Sequence, residues 1–173
     1  DYVFISAMLI QKASVREILG RCRHLGVKTV AGGPLFTAEP EAYGDVDHLV
    51  LNEGEITMPP FLSDLERGEA HPVYTTDKWA DITKTPVPLW SLLKASKYSS
   101  FNIQYSRGCP FQCDFCDITT LFGRVPRTKD AAQLVRELDA IYDTGWRGEL
   151  FFVDDNFISN RNKLMEDILP AII

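Results

Sequence analysis

Residues 101–116 read FNIQYSRGCPFQCDFC and combine a strand pattern with a cysteine motif. Their first part, Phe101 to Ser106, has the composition of a β-strand. The loop that follows, residues 107–129, carries three of the four cysteines. Residues 130–143 then show the apolar spacing of a helix, and residues 149–153 form a second strand pattern. The alternation of strand and helix predicts a parallel sheet covered by helices.

The first half of the chain shows the same alternation. Its strand patterns are nearly continuous apolar runs, as in parallel strands that are buried on both faces. The helices are indicated by apolar residues at helical spacing, by a capping box from Ser14 to Glu17, and by Gly26 and Gly68 as stop signals. The predicted elements are strands at residues 2–9, 27–31 and 47–51 and helices at residues 14–25, 37–43 and 56–66, with a last helix at residues 160–173.

Residues 69–99, which lack the strand and helix patterns of their neighbours, separate the two halves. Prolines interrupt this segment, and neither a helical nor a strand period is visible in it. We therefore expect residues 1–68 and residues 100–173 to form two α/β parts joined by a packed linker. The chain begins and ends inside apolar patterns, so we also expect it to be a fragment of a longer protein.

Composition and charge restrict the class of protein. With 45% hydrophobic and 24% charged residues, the 173-residue chain has the balance of an ordinary globular protein. The net charge of -6 disfavours general binding to nucleic acid, which is itself negatively charged. No apolar run reaches the length of about 20 residues that a membrane-spanning helix needs. We expect a cytoplasmic protein with no signal peptide, no transmembrane segment and no nucleic-acid partner.

The central chemical signal is a cysteine triplet, Cys109, Cys113 and Cys116, with the spacing C-x3-C-x2-C. Thiolates are soft ligands for iron–sulfur clusters, zinc or copper. The fourth cysteine, Cys22, lies on the apolar face of a predicted helix, and we expect it in the core. Because clusters and structural zinc normally take four ligands, the triplet predicts a metal centre with one open position. Zinc completed by a remote histidine and unreactive thiols stay open as alternatives, whereas an odd number of cysteines disfavours disulfides.

A resemblance to a known family follows from this loop. With the aromatic Phe115 before the last cysteine, the triplet resembles the C-x3-C-x-φ-C signature of radical S-adenosylmethionine (SAM) enzymes. The wider string from Ser106 to Cys116 is similar to the subclass that carries an N-terminal cobalamin-binding domain. The resemblance implies part of a Rossmann-like, flavodoxin-like cobalamin (B12)-binding domain in residues 1–68. It further implies the first βα units of a partial TIM-like (β/α) barrel in residues 100–173.

The resemblance also implies the site residues of the second half. The three cysteines would hold a [4Fe–4S] cluster whose fourth iron binds SAM and cleaves it reductively to a 5′-deoxyadenosyl radical. Phe115 would pack near the adenine. The polar run Asp154, Asp155 and Asn156 follows a strand, where barrels bind their ligands, and would bind the SAM amino group. The run departs from the Gly-Gly-Glu found in many members, and capping of the next helix by Asp155 or Asn156 is the alternative role.

The resemblance implies that four residues of the first half lie around cobalamin: Ser6, Gly32, Gly33 and Glu53. Ser6 lies in the second half of the first predicted strand, the glycine pair follows the second strand, and Glu53 follows the third. Paired glycines after a strand let a ligand approach the backbone closely, although such a pair alone is typical of a turn. At the third position the sequence has Asn52 where the family pattern has glycine.

The function implied by the resemblance is that of a cobalamin-dependent radical SAM enzyme, with methyl transfer to carbon as the expected reaction. The loop and the residues after it also resemble members linked to hopanoid lipid modification. The expected partners are a small-molecule or lipid substrate and an electron donor such as flavodoxin or ferredoxin. A methylthiotransferase-like radical SAM enzyme and a non-catalytic Fe–S or zinc module are the alternatives.

Overall fold

A four-stranded parallel sheet in the order β1-β2-β3-β4 lies at the centre of the first part of the molecule. The computed structural model describes residues 1–173 and divides them into two units, Asp1–Ala80 and Asp81–Ile173. The first unit contains the strands β1 (Tyr2–Ser6), β2 (Lys28–Gly32), β3 (His48–Val50) and β4 (Val73–Tyr74) and the helices α1 (Lys12–Leu25), α2 (Pro34–Ala38) and α3 (Gly54–Arg67).

The register of the sheet brings the carboxyl ends of its strands together. Ser6 at the end of β1 is paired with Gly32 at the end of β2, and Gly32 is paired with Val50 at the end of β3. The segments that leave these strands therefore start side by side at one edge of the sheet. This edge is the place where open parallel sheets bind ligands.

Helices cover both faces of this sheet. Neighbouring residues of β2 enter different cores, because side chains alternate across a strand. Ala31 packs with Leu19 of α1 and Leu35 of α2, whereas Val30 packs with Phe61 of α3. The first unit is thus an α/β fold with a buried parallel sheet, as predicted.

Helix α3 extends the helix predicted at residues 56–66 to Gly54–Arg67, and two other helices of the first unit differ more from their predictions. Helix α1 begins at Lys12 after a 3₁₀ turn at Leu9–Gln11, so the predicted capping box at Ser14 is wrong. The helix predicted at residues 37–43 is two short elements, α2 and a 3₁₀ turn at Pro40–Tyr43. Pro40 explains the break, since a residue before proline is disfavoured in the helical region.

The segment predicted as a linker, residues 69–99, is divided between the two units. Its first part supplies β4, which pairs in parallel with β3. Its second part belongs to the second unit, where the side-chain amide of Gln133 donates to the carbonyl oxygen of Ile82 at 3.0 Å and to Thr85 Oγ1 at 2.8 Å. The boundary at Ala80 therefore lies inside the predicted linker.

The second unit is built around a parallel pair of strands. Its elements are the strands β5 (Ser100–Ile103), β6 (Ser106–Arg107), β7 (Arg127–Thr128) and β8 (Glu149–Phe152), the helices α4 (Ile118–Phe122), α5 (Ala131–Asp143), α6 (Arg161–Lys163) and α7 (Leu169–Ile172), and a π-helical turn at Leu164–Ile168 that joins the last two helices. β5 pairs in parallel with β8, and β6 pairs antiparallel with β7. The core contains Ile103, Tyr105 and Leu134. No helix of the protein combines the length and apolarity that a membrane crossing requires.

The stability of the first unit is expected to fall in acid through Asp47. Its carboxylate joins the starts of two strands by accepting from Thr29 N at 2.8 Å and Thr29 Oγ1 at 3.0 Å. Burial alone would raise the pKa of Asp47, but these bonds, with the charges of His48 and Lys28, lower it below 3.8. The carboxylate therefore contributes stability above about pH 4, and the contribution is lost as the pH falls through the lowered pKa.

The test is the substitution Asp47→Asn, compared with the unsubstituted protein in urea unfolding at neutral pH and at acid pH. We expect a loss of about 1 kcal/mol at neutral pH, because the carboxylate is exposed and its bonds are screened by water. The two proteins should converge in acid. An equal loss at both pH values would contradict the role of the charge.

Candidate functional site

The cysteine loop lies between β6 and α4, and its three thiols are free. Cys113 is exposed, while Cys109 and Cys116 are half-buried. Cys116 N donates to Cys113 O at 3.1 Å, which forms a turn between the second and third cysteines. The residues between Cys109 and Cys113 are all exposed, so none of their side chains belongs to a hydrophobic core.

Gly108 holds the base of the loop closed. Its φ is +89°, a conformation that side chains rarely adopt, and an added Cβ would lie 3.0 Å from the carbonyl oxygens of Phe122, Gly123 and Val125. Next to it, Cys109 N donates to Gly123 O at 3.2 Å. The two ends of the loop are therefore pressed together at the first cysteine, and only glycine fits between them.

The donor set of the loop fits a thiolate-bound metal cluster. The structure does not gather the three thiols into a group with metal-ligand geometry, and no histidine or carboxylate completes such a group. The three thiol sulfurs are soft metal ligands, form no disulfide and lie on a surface loop. The residues between the cysteines are exposed, so no packed side chain lies between the three thiols along the loop.

The first residue of the polar run after β8 is committed to the backbone. Asp154 Oδ2 accepts from Tyr105 N at 3.1 Å, and Asp154 Oδ1 accepts from Ser106 Oγ at 2.6 Å and from Ser106 N. These donors follow β5, 48 or 49 residues earlier in the chain. Its carboxylate therefore joins the ends of two neighbouring strands, and the binding of SAM by Asp154 stays a prediction.

The next two residues of the run reach the cysteine loop. The Gly108 amide donates to the carboxylate of Asp155, and Asn156 Nδ2 donates to Cys109 Sγ at 3.8 Å. Burial is the main cause that raises the pKa of Asp155; the charge of Asp154 adds to it, and the Gly108 amide and Arg107 oppose it. The alternative of helix capping is wrong for both residues, because Asn160 is the cap of α6 and accepts from Lys163 N at 3.3 Å.

Phe115 is placed on the outer surface of the loop. Its side chain is 91% exposed, the largest exposure of any aromatic residue in the protein. A side chain this exposed does not anchor the loop by packing. Its predicted contact with adenine stays a prediction.

A cavity of about 320 Å³ opens at the carboxyl edge of the four-stranded sheet. Ser6, Gly32 and Gly33, three of the residues predicted around cobalamin, line it together. An added Cβ on Gly32 would lie 2.4 Å from Val50 O, and one on Gly33, whose φ is +86°, would lie 2.7 Å from Ser6 Oγ. Gly32 is therefore required by the close approach of β3, and the positive φ of Gly33 favours glycine there.

Methyltransferases are among the known proteins that are similar to this chain. No protein-family model matches the sequence. The chain is 45% identical over 166 residues to an uncharacterized methyltransferase of Synechocystis sp., covering 95% of this chain and 31% of the relative. It is 40% identical over 177 residues to the hopanoid C-2 methylase of Rhodopseudomonas palustris, covering 100% of this chain and 33% of that enzyme. The chain is a homologue of these methyltransferases.

The fold agrees with this homology. A solved structure of the cobalamin-dependent SAM radical enzyme OxsB, with aqua-cobalamin and SAM bound, matches 95% of this chain and 27% of that chain with a TM-score of 0.72 and 21% identity. The resemblance is thereby confirmed at the level of homology to methyltransferases and of a parallel α/β fold similar to that of cobalamin-dependent radical SAM enzymes. The chain spans about a third of the length of the curated relatives that it matches.

One residue predicted around cobalamin, Glu53, does not line the cavity. Glu53 is 3% exposed, and its Oε2 accepts from Ala80 N at 2.5 Å. The prediction is therefore corrected: the side chain of Glu53 is directed into the protein, where it holds the end of the first unit. Its backbone carbonyl accepts from Thr57 Oγ1 at 3.3 Å at the start of α3.

Asn52, its neighbour, does line the cavity, and sequence analysis did not assign it there. Its φ of 63° explains why asparagine can stand where the family pattern has glycine, because asparagine tolerates the left-handed region better than other side chains. Asn52 Oδ1 accepts from Thr75 Oγ1 at 2.7 Å. The signal that could have found it is its position directly after a buried strand, in place of a glycine.

Proposed function

We propose that the protein containing this chain is a cobalamin-dependent radical SAM methyltransferase that transfers a methyl group to carbon. The observation that carries the proposal is the triplet of free thiols on a surface loop whose base is fixed at the end of a parallel strand pair. The homologues named as methyltransferases support the reaction class. The fold shared with OxsB supports the choice of cofactors.

The proposal assigns a domain to each unit. The first unit is proposed as the later part of a Rossmann-like cobalamin-binding domain, which its helix-covered parallel sheet supports. The second unit is proposed as the first βα units of a partial (β/α) barrel. This assignment is supported by the parallel pair β5 and β8, because the chain between them contains the helix α5, as a βα unit requires.

The cysteines are proposed to hold a [4Fe–4S] cluster through three thiolates. When bound, the cluster supplies one electron for the reductive cleavage of SAM to a 5′-deoxyadenosyl radical. The second unit contains no fourth cysteine, since the remaining one, Cys22, is buried in the first unit. A cluster held by three thiolates would leave one iron open to SAM. Phe115, exposed beside Cys116, is proposed to cover the adenine.

The cavity of the first unit is proposed to take part of cobalamin. Its volume of about 320 Å³ is at the lower end of the range for small-molecule sites, which suits a nucleotide tail better than a whole corrin. Ser6, Gly32 and Gly33 would line it, with Asn52 taking the place first given to Glu53. The glycines leave the backbone accessible to the ligand.

The substrate is proposed to be a small molecule or a lipid. The support for a lipid is the relative from Rhodopseudomonas palustris, whose name is that of a hopanoid methylase. An electron carrier such as flavodoxin or ferredoxin is proposed as the donor, because the cluster needs one electron for each cleavage. The cytoplasm is proposed as the compartment, since free thiols and an iron–sulfur cluster are best kept in a reducing environment.

The experiment that tests the reaction is anaerobic reconstitution of the full-length protein with iron and sulfide. We expect about four irons per chain and a broad charge-transfer absorption in the blue region of the spectrum. Addition of dithionite and SAM should release 5′-deoxyadenosine and methionine, measured by liquid chromatography. A protein that binds one zinc and leaves SAM intact would contradict the proposal.

A further inference from the structure

The polar run after β8 contacts the chain around the first cysteine at successive points. Asp154 accepts from the amides of Tyr105 and Ser106, and the next residue, Asp155, accepts from the Gly108 amide. The run and the segment that leads to the cysteine loop therefore lie side by side, with their residues matched in order. The third residue of the run, Asn156, consequently meets Cys109.

The contact between Asn156 and Cys109 is a side-chain amide facing a sulfur. Nδ2 lies 3.8 Å from Sγ, within the longer distance that hydrogen bonds to sulfur require, and both residues are partly shielded from water. The amide nitrogen can only donate, and the sulfur of a metal-bound cysteine accepts. Cys109 is also held from its backbone, through its bond to Gly123 O.

Resting on the cluster of the proposed function, we propose that Asn156 is a positioning residue that donates an N–H···S hydrogen bond to the Cys109 thiolate and raises the reduction potential of the cluster. A reduced cluster carries one more negative charge than an oxidised one, so its sulfurs accept hydrogen bonds more strongly. The bond therefore stabilises the reduced form more than the oxidised form. The role replaces the direct contact with SAM first predicted for this residue.

The contacts of Asp154 and Asp155 make this donor effective. They tie the run to the backbone at Tyr105, Ser106 and Gly108, so the amide of Asn156 is held in place when the loop closes on the cluster. Residues that orient metal ligands commonly alter metal affinity or activity when they are replaced. The same logic applies to a donor that contacts a ligand sulfur.

The test is the substitution Asn156→Leu, which keeps the side-chain size and removes the donor. The reduction potential of the reconstituted full-length protein is measured by redox titration followed by electron paramagnetic resonance. We expect the equilibrium constant for reduction to fall about tenfold, which is about 59 mV for a one-electron couple. Asn162→Leu, at an exposed asparagine of α6, is the matched control and should leave the potential unchanged.

A second measurement needs no variant. In wild-type protein labelled with ¹⁵N-asparagine, pulsed resonance of the reduced cluster should detect a nitrogen coupled through the hydrogen bond. Absence of this coupling, an unchanged potential in a fully loaded Asn156→Leu protein, or an equal shift in the control would each overturn the inference while leaving the proposed function intact. A wild-type protein that assembles no cluster would overturn both.

Discussion

Replacing Cys113 with alanine is expected to abolish reductive cleavage of SAM by the full-length protein. Cys113 is the exposed member of the triplet, at the centre of the loop, and its thiol takes no part in packing. Its removal leaves two thiols, too few to hold a [4Fe–4S] cluster with one open iron. We expect 5′-deoxyadenosine production to fall by more than about a hundredfold, because loss of a ligand exceeds the effect of changing a residue around it.

The matched control is Cys22→Ala, a second removal of a free thiol. Cys22 is buried on α1 in the first unit, where it acts as a small apolar side chain. Its replacement should cost about 1 kcal/mol of stability and leave SAM cleavage unchanged. Retention of cleavage by the Cys113→Ala protein would show that the cluster is held by other ligands.

The sheet of the first unit could be predicted because its signals are local. Residues 2–5 and 49–51 are apolar runs of the kind that parallel strands show, and each lies in or next to a strand of the sheet. Glycine ended α1 and α3 as predicted, since both Gly26 and Gly68 adopt left-handed conformations. The cysteine triplet was equally visible, because its chemistry is set by residue type and spacing.

The arrangement around the triplet could not be predicted, because it depends on contacts between distant parts of the chain. Asp154 bonds to a backbone 48 or 49 residues away, and nothing in its neighbours separates that role from ligand binding. Glu53 is a similar case: its buried bond to Ala80 pairs residues 27 apart. A polar residue after a strand therefore predicts a place near the site, and its partners decide what it does there.

Boundaries were missed where a short element depends on its surroundings. β4 has two residues, too few for a recognisable strand pattern. It forms because it pairs with the edge of β3. The antiparallel pair β6 and β7 is equally short and brackets the cysteine loop. Tertiary contacts stabilise these short strands. The sequence around them therefore shows no strand periodicity, and it was predicted as a linker or a loop.

Replacing Gly32 with alanine is expected to destabilise the first unit and to weaken cobalamin binding together. The new Cβ would lie 2.4 Å from Val50 O, a backbone atom of the neighbouring strand that cannot turn aside. The strands would have to move apart at the edge where the cavity opens. We expect a loss of about 1–3 kcal/mol in urea unfolding, as for other overpacked sites.

The cobalamin that remains bound to the purified full-length protein is the second measurement, and Gly20→Ala is the matched control. Gly20 lies within α1, and an added Cβ meets nothing within 4 Å. Its replacement should raise stability by about 0.5–1 kcal/mol and leave cobalamin content unchanged, because alanine is favoured over glycine inside a helix. Full cobalamin content in a destabilised Gly32→Ala protein would show that cobalamin does not bind at this edge of the sheet. Absence of cobalamin from wild-type protein expressed with an adequate supply would contradict any cobalamin site in the first unit. It would not contradict the iron–sulfur cluster proposed at the three cysteines.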